Sequence, residues 1–220
     1  MTLTLDAMRR IRAGILSGEI AQDEDLTERA LCERLGMSRT PVRGALQMLA
    51  GDGLVSYSAQ RGYRLRRVSA KQIFDTYEVR AELEGLACKL MAQKGALPAQ
   101  IAVLEAQIAK GDALLAGPFD DTAWSEMNGQ FHAAILEGAE NEALSQALRH
   151  ATGQPLASHS FTVVFQESTA LPLLAGVQEM HRAIARHILN READRAAAQM
   201  REHIFIARDL ILGQIGQPAD

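Results

Sequence analysis

Residues 37–55, Met-Ser-Arg-Thr-Pro-Val-Arg-Gly-Ala-Leu-Gln-Met-Leu-Ala-Gly-Asp-Gly-Leu-Val, constrain this chain more than any other stretch. Ser38 is a natural N-cap, Pro41 is tolerated only in a first helical turn, and Val42, Ala45, Leu46 and Leu49 recur at the spacing of one buried stripe. The stretch predicts an amphipathic helix whose other face carries Arg39, Thr40, Arg43 and Gln47. Two arginines one turn apart at a helix start can enter a DNA major groove, where guanidinium forks meet guanine edges or phosphates. Basic pairs are also common on ordinary solvated helices, so the neighbours decide.

Upstream, Leu26-Thr27-Glu28-Arg29-Ala30-Leu31-Cys32-Glu33-Arg34-Leu35-Gly36 reads as a short helix capped by Thr27 and stopped by Gly36, which makes a helix-turn-helix. Downstream, Leu54–Tyr57 and Tyr63–Arg66 are strand candidates around Ser58-Ala59-Gln60-Arg61-Gly62, a hairpin with a basic tip. The N-terminal part is therefore expected to be a winged helix.

The residues Ser38-Arg39-Thr40-Pro41-Val42-Arg43, then Ala45-Leu46, Gly53-Leu54-Val55 and the pair Arg61-Gly62 resemble the DNA-binding domain of GntR-family bacterial transcription regulators. The resemblance implies operator contacts from Arg29, Arg39, Arg43 and the wing tip Arg61 and Gly62, with Ser38 and Thr40 on phosphates or bases. Two positions depart from it. Gly44 stands where the family usually has Glu, and Gln22-Asp23 replaces the usual Pro-Gly. A glycine inside a helix costs roughly 1 kcal/mol relative to Ala.

Charge divides the chain in the same way. Residues 1–67 hold 11 Arg and no Lys against 8 acidic side chains, a net of +3, while residues 68–220 net −7. The overall −4 hides a basic N-terminal part suited to nucleic acid. We expect a DNA-binding domain over 1–67, a linker at 68–71 with the hinge at 66–71, and a second domain over 72–220, long enough for its own core. No stretch reaches the roughly 18 apolar residues of a membrane span, and the Arg9-Arg10-Arg12 cluster does not have signal-peptide order, so a cytoplasmic location without membrane contact is expected. Cys32 and Cys88 lack partners at metal or redox spacing and read as buried, reduced thiols.

The second domain reads as helical throughout, with candidate helices at 70–94, 98–115, 120–138, 141–153, 155–167, 172–190 and 192–214, separated at Gly95, Pro98, Gly117-Pro118, Gly138 and Pro172. Phe161-Thr162-Val163-Val164-Phe165 is its one β-rich run. The fold class is thus mainly α, a winged helix-turn-helix followed by an antiparallel helical bundle.

Inside that bundle, Asn128 and His132 share one helix face, and His181 and His203 lie on later helices. Three imidazoles and an oxygen from different helices can converge on a divalent cation, although a single histidine is more often a satisfied or exposed side chain. Phe74-Asp75-Thr76-Tyr77-Glu78-Val79-Arg80 with Leu83-Glu84, Phe131-His132, His181-Arg182-Ala183-Ile184 and Met200-Arg201-Glu202-His203 resemble the effector domain of the FadR-type (FCD) subfamily. That resemblance implies a zinc, nickel or similar ion on Asn128, His132, His181 and His203, with a small carboxylate effector completing its coordination. Asn128 departs from the commoner Asp. It also implies that Arg80 is directed at the pocket, where it would clamp a carboxylate; the alternative is a surface ion pair with Glu84 one turn on. Trp124 and Phe131, at helical spacing among apolar neighbours, read as core.

The expected function is a homodimeric one-component regulator, a repressor on the family's commoner pattern, which reads a palindromic operator under control of the acid. The alternative is a metal-dependent hydrolase or lyase using the three histidines and Asn128, but no His-Glu-x-x-His or comparable motif supplies a general base. The expectation is therefore that the chain is not an enzyme.

Overall fold

Helix capping and apolar spacing set the N-terminal elements. In the computed structural model, which describes residues 2–16, 19–20, 25–51, 53–60, 62–65, 69–118, 120–152 and 167–215, α1 spans Leu3–Leu16, α2 Glu28–Leu35 and α3 Arg39–Gly51. Thr27 caps α2 by accepting from the Ala30 N–H. Gly36 ends it in the left-handed conformation, φ 67°, with its N–H on the Cys32 carbonyl. α3 begins at Arg39, so Pro41 falls in its first turn, and Val42, Ala45, Leu46 and Leu49 are fully buried.

α3 packs on α1, α2 and the first strand that follows it. α1 was not expected from the sequence; Ala7, Met8 and Ile11 supply its buried face. The departure at Gly44 has a packing reason. A Cβ there would lie 2.8 Å from Cγ2 of Thr4 on α1, so the glycine admits the close approach of the two helices.

The wing is a three-stranded antiparallel sheet, one strand more than expected. β1 (Asp25–Leu26), β2 (Val55–Ser58) and β3 (Gly62–Leu65) run in the order β1-β3-β2, with Val55 opposite Leu65, Ser58 opposite Gly62 and Leu26 opposite Tyr63. β1 is too short to carry a two-residue period. Arg61, and residues 66–68 of the expected hinge, lie outside the described residues.

The second part contains α4 (Ala70–Lys94), α5 (Pro98–Ala116), α6 (Asp121–Ala139), α7 (Glu142–Thr152), α8 (Glu167–Leu189) and α9 (Ala193–Ile215). Ser69 and Gln72 form a capping box, so Ala70 and Lys71, expected in the linker, already belong to α4. The expected helix 155–167 and the run 161–165 fall almost entirely outside the described residues. α8 starts before the expected Pro172: at the sixth helical position this proline removes a single backbone hydrogen bond near the helix start. α4 is central and packs on α6, α7, α8 and α9; α5 closes against α6 and α8. Cys88 is buried as expected, whereas Cys32 is half-buried.

Candidate nucleic-acid interface and metal centre

The helix-turn-helix presents its polar residues as the sequence orders them. Ser38, just before α3, and Arg39, Thr40, Arg43 and Gln47 within it are exposed, and Arg29 is exposed on α2. Arg43 does not extend freely from the helix. Its Nε and Nη2 donate to the two carboxylate oxygens of Glu28 at 2.8 and 3.0 Å. That fork lowers the Glu28 pKa and raises that of Arg43. Arg29 pairs with Glu33 at 3.2 Å. Gly62 opens β3 at φ 70°, a conformation that favours glycine at the wing tip.

In the helical part, a chain of buried polar side chains runs from α4 to α9. Arg80 and Glu84 lie one turn apart on α4, both buried, with Arg80 Nε donating to Glu84 Oε1 at 2.6 Å. The expected alternative, a surface pair, is corrected in one respect: the pair forms, but inside the bundle. The Arg80 guanidinium also lies over the Tyr77 ring, 5.0 Å from its centroid. Burial opposes its charge, but Glu84 and Tyr77 outweigh that and hold its pKa above the usual arginine value.

The second oxygen of Glu84 meets Nδ1 of His132 on α6 at 2.5 Å. A carboxylate facing Nδ1 leaves Nε2 as the lone-pair nitrogen, the arrangement that orients metal-ligating histidines. Nε2 of His132 in turn lies 3.1 Å from Nε2 of His203 on α9. His181 on α8 completes the group. One ring nitrogen of each imidazole lies within 4.8 Å of the others, and all three side chains are buried.

Two atoms of this group have no hydrogen-bond partner, Nε2 of His181 and Nδ1 of His203. Buried polar atoms are rarely left so, and a buried cluster of three imidazoles with ring nitrogens left over suits a cation. Burial pushes the pKa of both His181 and His203 well below the ordinary histidine value, so both are neutral and their lone pairs can bind a cation without first losing a proton. The residues present therefore fit a borderline divalent ion such as zinc or nickel.

Asn128, half-buried, sits one turn before His132 on α6. Trp124 and Phe131 are buried as expected, yet they also wall the cluster, with the Phe131 ring centroid 4.5 Å and the Trp124 centroid 6.5 Å from that of His181. Sequence reasoning missed Glu84 as a histidine partner, because i to i+4 spacing reveals only its pairing with Arg80. It also missed Gln178, whose Oε1 faces Nδ1 of His181 at 3.3 Å.

Comparison with known proteins agrees with both halves. Residues 3–65 match the gntR family of bacterial regulatory proteins and residues 75–205 match the FCD domain. The chain is 27% identical over 208 residues to the HTH-type transcriptional repressor GlaR of Escherichia coli, covering 93% of this chain and 94% of that protein. It is 30% identical over 189 residues to the Nta operon transcriptional regulator of Aminobacter aminovorans, covering 86% and 85%. Among solved structures, E. coli McbR/YncC shares the fold with a TM-score of 0.62 at 19% identity, over 97% of this chain and 99% of that one. Such proteins are DNA-binding regulators rather than enzymes, and no helix among the described residues is long and apolar enough to cross a membrane. With a matching domain in each half, the chain belongs to the GntR family of bacterial transcription regulators, in the branch that carries an FCD domain.

Proposed function

We propose that this protein is a homodimeric repressor, acting in the cytoplasm, that binds a palindromic operator through residues 1–67 and senses a small organic acid through residues 72–220. Arg29, Ser38, Arg39, Thr40, Arg43, Arg61 and Gly62 read the DNA, and His132, His181, His203 and Asn128 hold a divalent metal ion. The observation that carries the sensing half is the meeting of three buried imidazoles with two orphaned nitrogens, His181 Nε2 and His203 Nδ1.

When bound, the ion supplies an electrophilic centre that attracts an anion. The chain's own residues do the rest. The three imidazoles and the Asn128 amide bring no negative charge of their own to the ion, and Arg80, buried on the neighbouring helix and paired with Glu84, could exchange that partner for an incoming carboxylate. Trp124 and Phe131 exclude water on the His181 side. Glu84 holds Arg80 and His132 with its two oxygens, so an acid that approaches Arg80 competes for one end of a connected chain. Such competition gives the acid a different affinity for each arrangement of α4, and without that difference no ligand can shift a conformational equilibrium. GlaR is named as a repressor, which supports repression as the mode of action.

Native mass spectrometry of protein purified without chelator tests the metal and any retained acid. Gel shifts on its own promoter, with and without small carboxylates, test the coupling. Metal-free protein that cannot be loaded, or operator binding that no carboxylate alters, contradicts the sensing half.

A further inference from the structure

His181 differs from His132 in having no carboxylate on its Nδ1, yet a built contact stands in that place. Gln178 is 1% exposed, and its side-chain Nε2 donates to the Ile108 carbonyl at 2.8 Å and to Asp112 Oδ1 at 2.7 Å. Both partners are acceptors, so the amide nitrogen must face α5 and the amide oxygen must face the other way. That oxygen lies 3.3 Å from Nδ1 of His181 and can only accept, so Nδ1 carries the ring proton and Nε2 is the bare lone pair.

Asp112 is itself held from α8. Arg182 donates to both its oxygens, Nη2 to Oδ1 at 2.6 Å and Nη1 to Oδ2 at 2.9 Å. Space for the amide comes from a glycine. A Cβ on Gly111 would lie 2.5 Å from Oε1 and 2.6 Å from Nε2 of Gln178, so any larger residue pushes the carboxamide out of line.

We infer that Gly111, Asp112, Arg182 and Gln178 form a positioning set that locks His181 with Nδ1 protonated and Nε2 presented to a metal ion. The inference rests on the metal reading above and adds four residues to it, none of them among the proposed ligands. Gln178 does for His181 what Glu84 does for His132.

The test uses the whole 220-residue chain with Co2+ as the probe, whose absorption reports binding and ligand field, and long-range 1H–15N spectra of the metal-free protein to read the His181 tautomer. Metal-free wild type should show Nδ1–H. Gly111→Ala adds a good helix former to α5 but displaces the buried carboxamide from the Ile108 carbonyl and Asp112, so its two effects on stability oppose each other and affinity is titrated well below the melting point of the metal-free protein. The variant's Co2+ affinity should fall about ten- to hundredfold, the usual cost of losing an outer partner of a metal ligand. Gln178→Met, close in shape without the amide, should weaken Co2+ binding by a similar factor and abolish the tautomer preference. Nε2–H on His181 in the wild type overturns the inference. So does wild-type Co2+ affinity in both variants, which would leave the metal reading standing. A wild type that takes up neither Co2+, Zn2+ nor Ni2+ overturns the metal reading and this inference together.

Discussion

Replacing Arg80 by Met isolates one charge at the centre of the buried polar chain. The Arg80 and Glu84 side chains are each 4% exposed, and Met preserves most of the apolar stem while removing the guanidinium 2.6 Å from Glu84 Oε1. The Glu84 carboxylate then stays buried without its cationic partner. Leaving one member of a buried pair uncompensated costs about 3–5 kcal/mol. An exposed pair on the same helix, Lys71 with Asp75, is 81% and 54% exposed and belongs to the class worth about 0–1 kcal/mol. In a chain of this length each kcal/mol moves the thermal midpoint by about 2–4 °C, so Arg80→Met should lower Tm by roughly 6–20 °C.

A second variant separates charge from packing. Adding Glu84→Gln to Arg80→Met removes the stranded carboxylate and keeps an amide oxygen able to accept from His132 Nδ1, so the double variant should recover most of the loss. Urea and thermal unfolding of the wild type, the two single variants and the double variant complete the cycle. A penalty for Arg80→Met under about 1 kcal/mol, or a double variant no more stable than the Arg80 single variant, refutes the reasoning, because the buried pair would then behave like an exposed one.

Other outcomes follow from the same geometry. Zn2+ or Ni2+ at a hundred times its dissociation constant should stabilise the protein by about 2.7 kcal/mol, reversibly with chelator, and His181→Ala should abolish the shift in differential scanning fluorimetry. Arg39→Ala and Arg43→Ala should each weaken operator binding by about 1–3 kcal/mol in gel-shift titrations without lowering Tm; two variants that bind like wild type would remove the recognition-helix assignment. Sedimentation should find a dimer at micromolar concentration, with footprints on two half-sites about one helical turn apart; a monomer on a single half-site would contradict the assembly. Gly44→Ala should stabilise a Thr4→Ala background by roughly 1 kcal/mol through helix propensity, and do less in wild type, where the new Cβ would meet Thr4 Cγ2 at 2.8 Å; equal effects in both backgrounds would dismiss that contact.

Most of the fold was legible because it is written in features local to one helix. Thr27 and Gly36 bracket α2, Val42, Ala45, Leu46 and Leu49 mark the inner face of α3, and the expected 70–94 helix is α4 to the residue. α1 was missed although Met8, Ile11 and Ile15 fall at helical spacing: Arg9, Arg10 and Arg12 drew attention to charge, yet Arg12 is 4% exposed and serves the interior. β1 pairs through two residues that no periodicity could announce. The linker expected at 68–71 overlaps the helix expected at 70–94, and the capping box of Ser69 and Gln72 puts the two shared residues, Ala70 and Lys71, in α4.

The site divides along the same line. A histidine can be assigned to an inner helix face from its neighbours, and the three imidazoles do converge in one cluster. What each imidazole can do there depends on its second nitrogen, whose partner lies on another helix for His132, on the same helix for His181, and is absent for His203. Glu84 and His132 are 48 residues apart, and spacing within either helix is silent about whether the carboxylate reaches across to Nδ1. Gln178 is on the same helix as His181, but its role comes from Ile108 and Asp112, 70 and 66 residues away, which turn its amide oxygen toward the ring. Local pattern therefore identifies candidate ligands, whereas tertiary packing selects which nitrogen of each is available, and only the packed bundle distinguishes a lone pair aimed at a cation from a proton aimed at the same point.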